Sequence, residues 1–157
     1  MMSKILILLT LTISTVWADN LNFHGTLITP PDCTINNDKT IEVDFSKIII
    51  DKINGVNYIV DVPWTLTCES SVRSDLLAFT LSYIGTATSF SPDAVATNVK
   101  GLGIELQQDG QIFSPGSTIT ITEIALPVLK AVPVKDTNAA LVEGAFEAYA
   151  TLRIEYQ

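Results

Sequence analysis

Positive charge is scarce in this sequence: nine lysines and arginines stand against seventeen aspartates and glutamates, for a formal net charge of −8. A surface so poor in cations argues against binding of nucleic acid or anionic membranes, both of which call for basic patches. Histidine is scarcer still, with His24 alone. One imidazole and scattered carboxylates such as Asp93, Glu105 and Asp109 offer no nucleophile, base and orienting group at workable spacing. No enzyme activity, catalytic residue or cofactor is expected. Cys33, Cys68 and His24 make a poor ligand set for zinc, so no metal site is expected either. Helical periodicity is missing too: no segment repeats apolar residues at three and four positions over a dozen residues.

The N-terminal end of the chain carries a long apolar run. Lys4 precedes Ile5 to Ile13, and Val16-Trp17-Ala18 follows, which reads as a secretory signal over residues 1–18 with cleavage before Asp19. The run is too short to span a membrane, and no stretch of about eighteen apolar residues appears later. An N-terminal anchor helix is the alternative reading of this segment. Losing Lys4 makes the mature chain still more acidic. What remains suits one domain with a proper core. Secretion takes Cys33 and Cys68 into an oxidising compartment, where a pair of thiols ordinarily becomes a disulfide. Closing so long a loop is worth about 3–4 kcal/mol in the chain-entropy model.

Strand signals fill the rest. Thr40 to Phe45 alternates Ile41, Val43 and Phe45 with Glu42 and Asp44, and Tyr58 to Cys68 is rich in β-branched and aromatic residues around Trp64. Asn54-Gly55 between them is a turn dipeptide. Leu76 to Ile84 places Leu77, Phe79, Leu81 and Tyr83 on one face and reads as a central strand. Asp109-Gly110 joins Gly101–Gln107 to Gln111–Phe113 as a hairpin, and Pro115-Gly116 punctuates the chain before Thr118–Ile124. Ala125 to Val134 is an apolar run holding Pro127 and Pro133. Short strands about ten residues apart favour an immunoglobulin-like sandwich over a closed barrel. Trp64 reads as core or sheet packing, with carbohydrate binding as the bolder use.

The two ends of the mature chain stand out. Gly144, Phe146, Ala148, Ala150, Leu152, Ile154 and Tyr156 alternate with mostly polar residues up to Gln157, a strand with one buried face. Either an earlier strand covers its second edge or another polypeptide does. Before the first cysteine, Leu21, Phe23, Gly25 and Leu27 alternate with Asn22, His24 and Thr26, and Pro30-Pro31 sets this second half-apolar strand apart. It either folds back on its own domain or projects outward.

An ordered set of motifs runs through these segments. Phe23-x-Gly25 precedes Pro31-Asp32-Cys33 and Cys33-Thr34-Ile35-Asn36, followed by Val43-Asp44-Phe45, Leu66-Thr67-Cys68, Gly101-Leu102-Gly103-Ile104, and a C-terminal pattern with Gly144 fourteenth from the end and a penultimate Tyr156. On these residues the chain resembles the pilin subunits of chaperone-usher fimbriae over essentially its whole length. Within that family, the stretches from Phe23 to Phe45 and Gly101 to Gly116 look most similar to minor tip adaptors of P-type pili.

The resemblance implies an all-β fold: an incomplete immunoglobulin-like β-sandwich lacking its seventh strand, with an N-terminal donor-strand extension at residues 19–31 and a pilin domain at 32–157. It implies that a periplasmic chaperone first lends a strand to the open groove. At the outer-membrane usher, the extension of a neighbouring pilus subunit then replaces it. Leu21, Phe23, Gly25 and Leu27 would be the donor residues. Gly144, Phe146, Ala148, Ala150, Leu152, Ile154 and Tyr156 would line the acceptor groove, with Tyr156 also matching the chaperone-recognition motif. The implied role is a structural subunit secreted through the periplasm to a fimbrium on the bacterial surface, a minor tip adaptor linking subunits or a tip adhesin in support of host-cell adhesion. A major shaft pilin or a terminator is the alternative, and a self-sufficient secreted carbohydrate-binding domain is the reading from another class.

Overall fold

The computed structural model describes residues 21–27, 29–69 and 78–156. The signal segment 1–18, Leu76, Leu77 and Gln157 lie outside the described residues. Among those described there is no α-helix, only two short 3-10 turns, at Asn36–Asp38 and Ile50–Lys52.

Among the described residues ten strands form three antiparallel sheets. The first pairs β1 (Cys33–Ile35) with β3 (Leu66–Cys68), and its register sets Cys33 opposite Cys68. Their disulfide is formed, joining residues 35 apart in sequence, as the oxidising compartment predicts. The second sheet has the order β10 (Ala150–Tyr156), β4 (Phe79–Gly85), β8 (Thr118–Ile121). The third runs β2 (Val60–Asp61), β9 (Leu129–Lys135), β6 (Leu102–Gln108), β5 (Ala94–Ala96), with β7 (Gln111–Ile112) added to β6.

One core lies between them. Phe79, Leu81 and Tyr83 point into it from alternate positions of β4, where they meet Trp64, Val95, Phe113, Ile121 and Leu129. The period of two in the sequence puts these β4 residues on one face, and the opposite face carries Thr80, Ser82 and Ile84. Trp64 is core, one of the two packing roles expected of it, and its indole N–H donates to the Pro127 carbonyl at 3.1 Å. Tyr83 stacks obliquely on Phe113, with ring centroids 5.1 Å apart.

Local chemistry explains where the strands stop. Asp109 (φ 46°) and Gly110 (φ 79°) form the left-handed pair of a two-residue hairpin between β6 and β7. Pro63 breaks the long predicted strand from Tyr58 to Cys68 into β2 and β3. Pro133 is tolerated inside β9 for a geometric reason. Val62 N–H donates to the Leu129 carbonyl, so odd-numbered residues of β9 direct their backbone groups toward β2. That strand pairs no further than Ala131, and Pro133 loses no ladder bond.

Asn54-Gly55 makes the expected turn, with Gly55 at φ 76° and the Asn54 side chain accepting from Val56 and Asn57 N–H, and its flanks do not pair with each other. Two expectations are corrected. Thr40–Phe45 keeps its alternating burial and joins no sheet. The C-terminal ladder with β4 begins at Ala150 rather than Gly144, because β4 ends at Gly85, the partner of Ala150.

Candidate functional site

The C-terminal strand is an edge. Every residue of β10 from Ala150 to Tyr156 pairs with β4, and among the described residues nothing pairs with its other side. Upstream, a bridge joins Thr97 to Ala148, Asn98 N–H donates to the Glu147 carbonyl at 3.1 Å, and Glu147 N–H returns to the Asn98 side chain at 2.8 Å. Those bonds continue the line of β4, so the same edge stays open from residue 145 onward.

Along that edge, Phe146, Ala148, Leu152, Ile154 and Tyr156 are half-buried, while Thr151, Arg153 and Glu155 are exposed. Gly144 and Ala150 are exposed as well. The structure therefore brings five of the seven predicted groove residues onto one half-covered face.

A second bank, not foreseen as such, faces this one. Ile41, Val43 and Phe45 are half-buried and alternate with exposed Thr40, Glu42 and Asp44. Among the described residues no backbone hydrogen bond joins residues 40–45 to 144–156. Phe45 nonetheless meets Phe146 across the gap, with ring centroids 5.9 Å apart. The Val43-Asp44-Phe45 alternation was the available signal, but a sequence pattern cannot tell a paired strand from an unpaired one. Two unpaired, one-face-apolar segments now border a common trough.

Tyr156 closes one end of the trough. Its ring packs on Phe79 at 5.1 Å, and its hydroxyl lies against the Pro31 carbonyl and 3.0 Å from Cys33 Sγ. Burial, helped by the negative charges of Asp32 and Glu123, raises its phenol above the ordinary value. The last described residue of the chain is thus tied to the disulfide and to the root of the N-terminal segment.

That segment is laid bare. Leu21, Phe23 and Leu27 are 78%, 84% and 102% exposed, Asn22, His24 and Thr26 are exposed too, and a Cβ added at Gly25 would meet nothing within 4 Å. Residues 21–27 do not fold back onto their own domain. Burying three such large apolar groups would be worth roughly 5–9 kcal/mol before ordering costs.

Elsewhere the carboxylates have local duties. Asp93 accepts from the Ser114 hydroxyl, Glu105 from the Gln107 amide, and Asp109 from Val128 N–H, so these three are loop and strand ties rather than merely solvated groups. A hollow of about 390 Å³ bounded by Ile119, Ile121, Leu126 and Pro127 holds Asp109 as its one titratable lining residue. Among the described residues no group of three His, Cys, Asp or Glu is placed to hold a metal.

Comparison with known proteins gives a consistent result. A family model described as "Fimbrial protein" matches residues 21–157. The fimbrial-like protein YfcQ of Escherichia coli (strain K12) is 47% identical over 142 residues, covering 88% of both chains. The fimbrial-like protein YfcR of the same strain is 35% identical over 133 residues, or 82% of this chain and 75% of the relative. Among solved structures, the P pilus rod subunit PapA superposes with a TM-score of 0.62 at 22% identity, covering 88% of this chain and all 100% of that one. The P pilus adaptor subunit PapF gives 0.55 at 25% identity, over 82% and 98% of the two chains.

Proposed function

Because this chain belongs to the fimbrial protein family, we propose that it is a structural subunit of a chaperone-usher fimbria that polymerises by donor-strand exchange. The observation that carries this reading is the pair of open ends: a trough bordered by two unpaired apolar-faced segments, and an extension whose apolar side chains cover nothing of their own domain. One end lacks a neighbour and the other lacks a sheet.

In this reading a strand added along β10 makes the missing ladder bonds, each worth about 0.5–1.5 kcal/mol. It also seals Phe146, Ala148, Leu152, Ile154 and Tyr156 from water. Strand addition to an exposed sheet edge is an established recognition mode, of which pilin complementation is one case. A periplasmic chaperone supplies that strand first, and a neighbouring subunit's Leu21, Phe23, Gly25 and Leu27 segment supplies it at the outer-membrane usher. The bonds within each subunit stay as they are, and only the lent strand changes, so assembly needs no chemical step.

The finer role we assign is that of a minor tip adaptor, joining fibre segments or an adhesin to the fibre and so supporting host-cell adhesion. The 25% identity to the adaptor PapF supports it. Labelled subunit confined to fibre tips is the expected image; label along the whole shaft would make it a major subunit instead.

The founding test compares thermal unfolding of residues 19–157 with that of the same chain carrying a pilin-type donor strand fused after Gln157. Circular dichroism and sizing report the result. Only the fused form is expected to be a cooperative, stable monomer. Identical melting of two monomers would overturn the reading and point to a self-sufficient secreted sandwich. A second test introduces Phe23→Asp, which is expected to spare chaperone binding and abolish insertion into the preceding subunit; normal assembly would remove the extension from the mechanism.

A further inference from the structure

The trough has a charged rim as well as an apolar floor. Phe45 sits opposite Phe146, with ring centroids 5.9 Å apart, so residues 42–45 and 146–149 border the gap side by side. Outward side chains on the two banks therefore face each other: Glu42 and Asp44 on one, Glu147 and Tyr149 on the other, all exposed. Tyr149 donates its hydroxyl to Glu147 at 2.8 Å. Asp44 accepts the Ser46 N–H at 2.6 Å.

Arg153, the cation on β10, is engaged by Glu155 at 2.7 Å. Lys47 lies past Ser46, where the backbone enters the left-handed region at φ 54°. Among the described residues neither Glu42 nor Glu147 has an ion-pair partner. Like charges facing across neighbouring strands oppose pairing, and a strand seated between them places its own outward side chains within reach of both.

The chain's own extension does not answer this rim. Its inward pattern is Leu21, Phe23, Gly25 and Leu27, and its outward residues are Asn22, His24 and Thr26, with no lysine or arginine among them. Accepting the groove reading above, we propose that the trough prefers a strand from a different polypeptide, with apolar residues inward and lysine or arginine outward, over the extension of a second copy of this chain. Charge thus sorts partners that the apolar floor would hold equally, and it makes this subunit a junction rather than a self-polymerising repeat.

The test refolds residues 19–157 with each of three labelled peptides: a copy of residues 19–29, the same copy with N22K, H24K and T26K, and the same copy with N22E, H24E and T26E. Release into excess unlabelled copy is timed at about 0.05 M and about 0.5 M salt, where screening differs several-fold in reach. The lysine peptide is expected to leave about three- to tenfold more slowly than the plain copy at low salt, in line with two or three exposed pairs. That advantage should vanish at high salt and in a Glu42→Gln, Glu147→Gln chain. Equal release of all three at low salt, or longest retention of the glutamate peptide, overturns the inference and leaves the groove standing. Failure to retain any peptide sinks the groove itself.

Discussion

Strands β9 and β10 are both seven residues long and both carry an apolar row, yet they end in different states. β9 lies between β2 and β6, and Leu129, Ala131 and Val132 are 1%, 3% and 0% exposed. β10 has only β4 beside it, and none of its described residues is fully buried. The number of neighbours, not the hydropathy of the strand, decides burial here. A core-type pattern stranded on an edge marks a sheet with room for one more strand.

The same substitution in the two strands tests that contrast most strongly. Leu129→Ala should cost about 2–5 kcal/mol, because the site is closed on every side and a cavity remains. Leu152→Ala in a chain fused after Gln157 to a donor strand whose inward residues are alanine should cost about 1–2 kcal/mol, since that side chain is then still partly exposed. Restoring apolar inward residues in the donor should raise the Leu152→Ala cost toward the Leu129 value. Denaturant unfolding of both fused parents and their Leu129→Ala and Leu152→Ala variants reads this out, and equal costs with the alanine donor would mean that β10 is finished core.

Much of this contrast was legible in the sequence, and the unreadable part has a physical reason. The alternation from Ala148 to Tyr156, the Asp109-Gly110 hairpin and the inward face of β4 all follow from a period of two plus turn chemistry, both of which are local. The disulfide was readable from secretion and cysteine count. The failures are non-local: Ile41, Val43 and Phe45 have a strand's pattern, but whether a partner lies beside them depends on where the rest of the chain goes. The same holds for Asp93, Glu105 and Asp109, whose partners Ser114, Gln107 and Val128 become neighbours only through the fold.

Two tyrosines extend the comparison from packing to protonation. Tyr83 stands in β4, paired on both sides, and is 1% exposed with no hydrogen-bond partner for its hydroxyl. Burial first, then the charges of Glu105 and Asp93, pushes its phenol far above the ordinary value of 10.0. The folded chain therefore keeps this proton where the unfolded chain loses it. The stabilisation is complete below pH 10 and falls away above it, by about 1.4 kcal/mol for each further pH unit until the folded-state value is reached. Tyr83→Phe should flatten that alkaline arm in unfolding curves taken from pH 9 to 12. At neutral pH it should be neutral or stabilising, because it removes an unpaired buried hydroxyl. A marked loss of stability at pH 7 would mean that the hydroxyl has a partner.

Tyr156, in singly paired β10, should behave in the opposite sense. Its hydroxyl has company, at the Pro31 carbonyl and Cys33 Sγ, and its ring leans on Phe79. Tyr156→Phe keeps the ring contact and removes only the tie between the end of β10 and the disulfide. The expected cost is about 0.5–1.5 kcal/mol, the ordinary worth of one hydrogen bond. Measuring it in the donor-fused chain keeps the reference state folded. Tyr156→Ser should cost more, because the ring goes as well, and it should lower the yield of chaperone-bound subunit in the periplasm. If Tyr156→Phe costs nothing while Tyr156→Ser costs several-fold more, packing on Phe79 alone anchors this end of the trough. If the two cost the same, the hydroxyl carries the anchor, and β10 is held at its end by the root of the N-terminal segment.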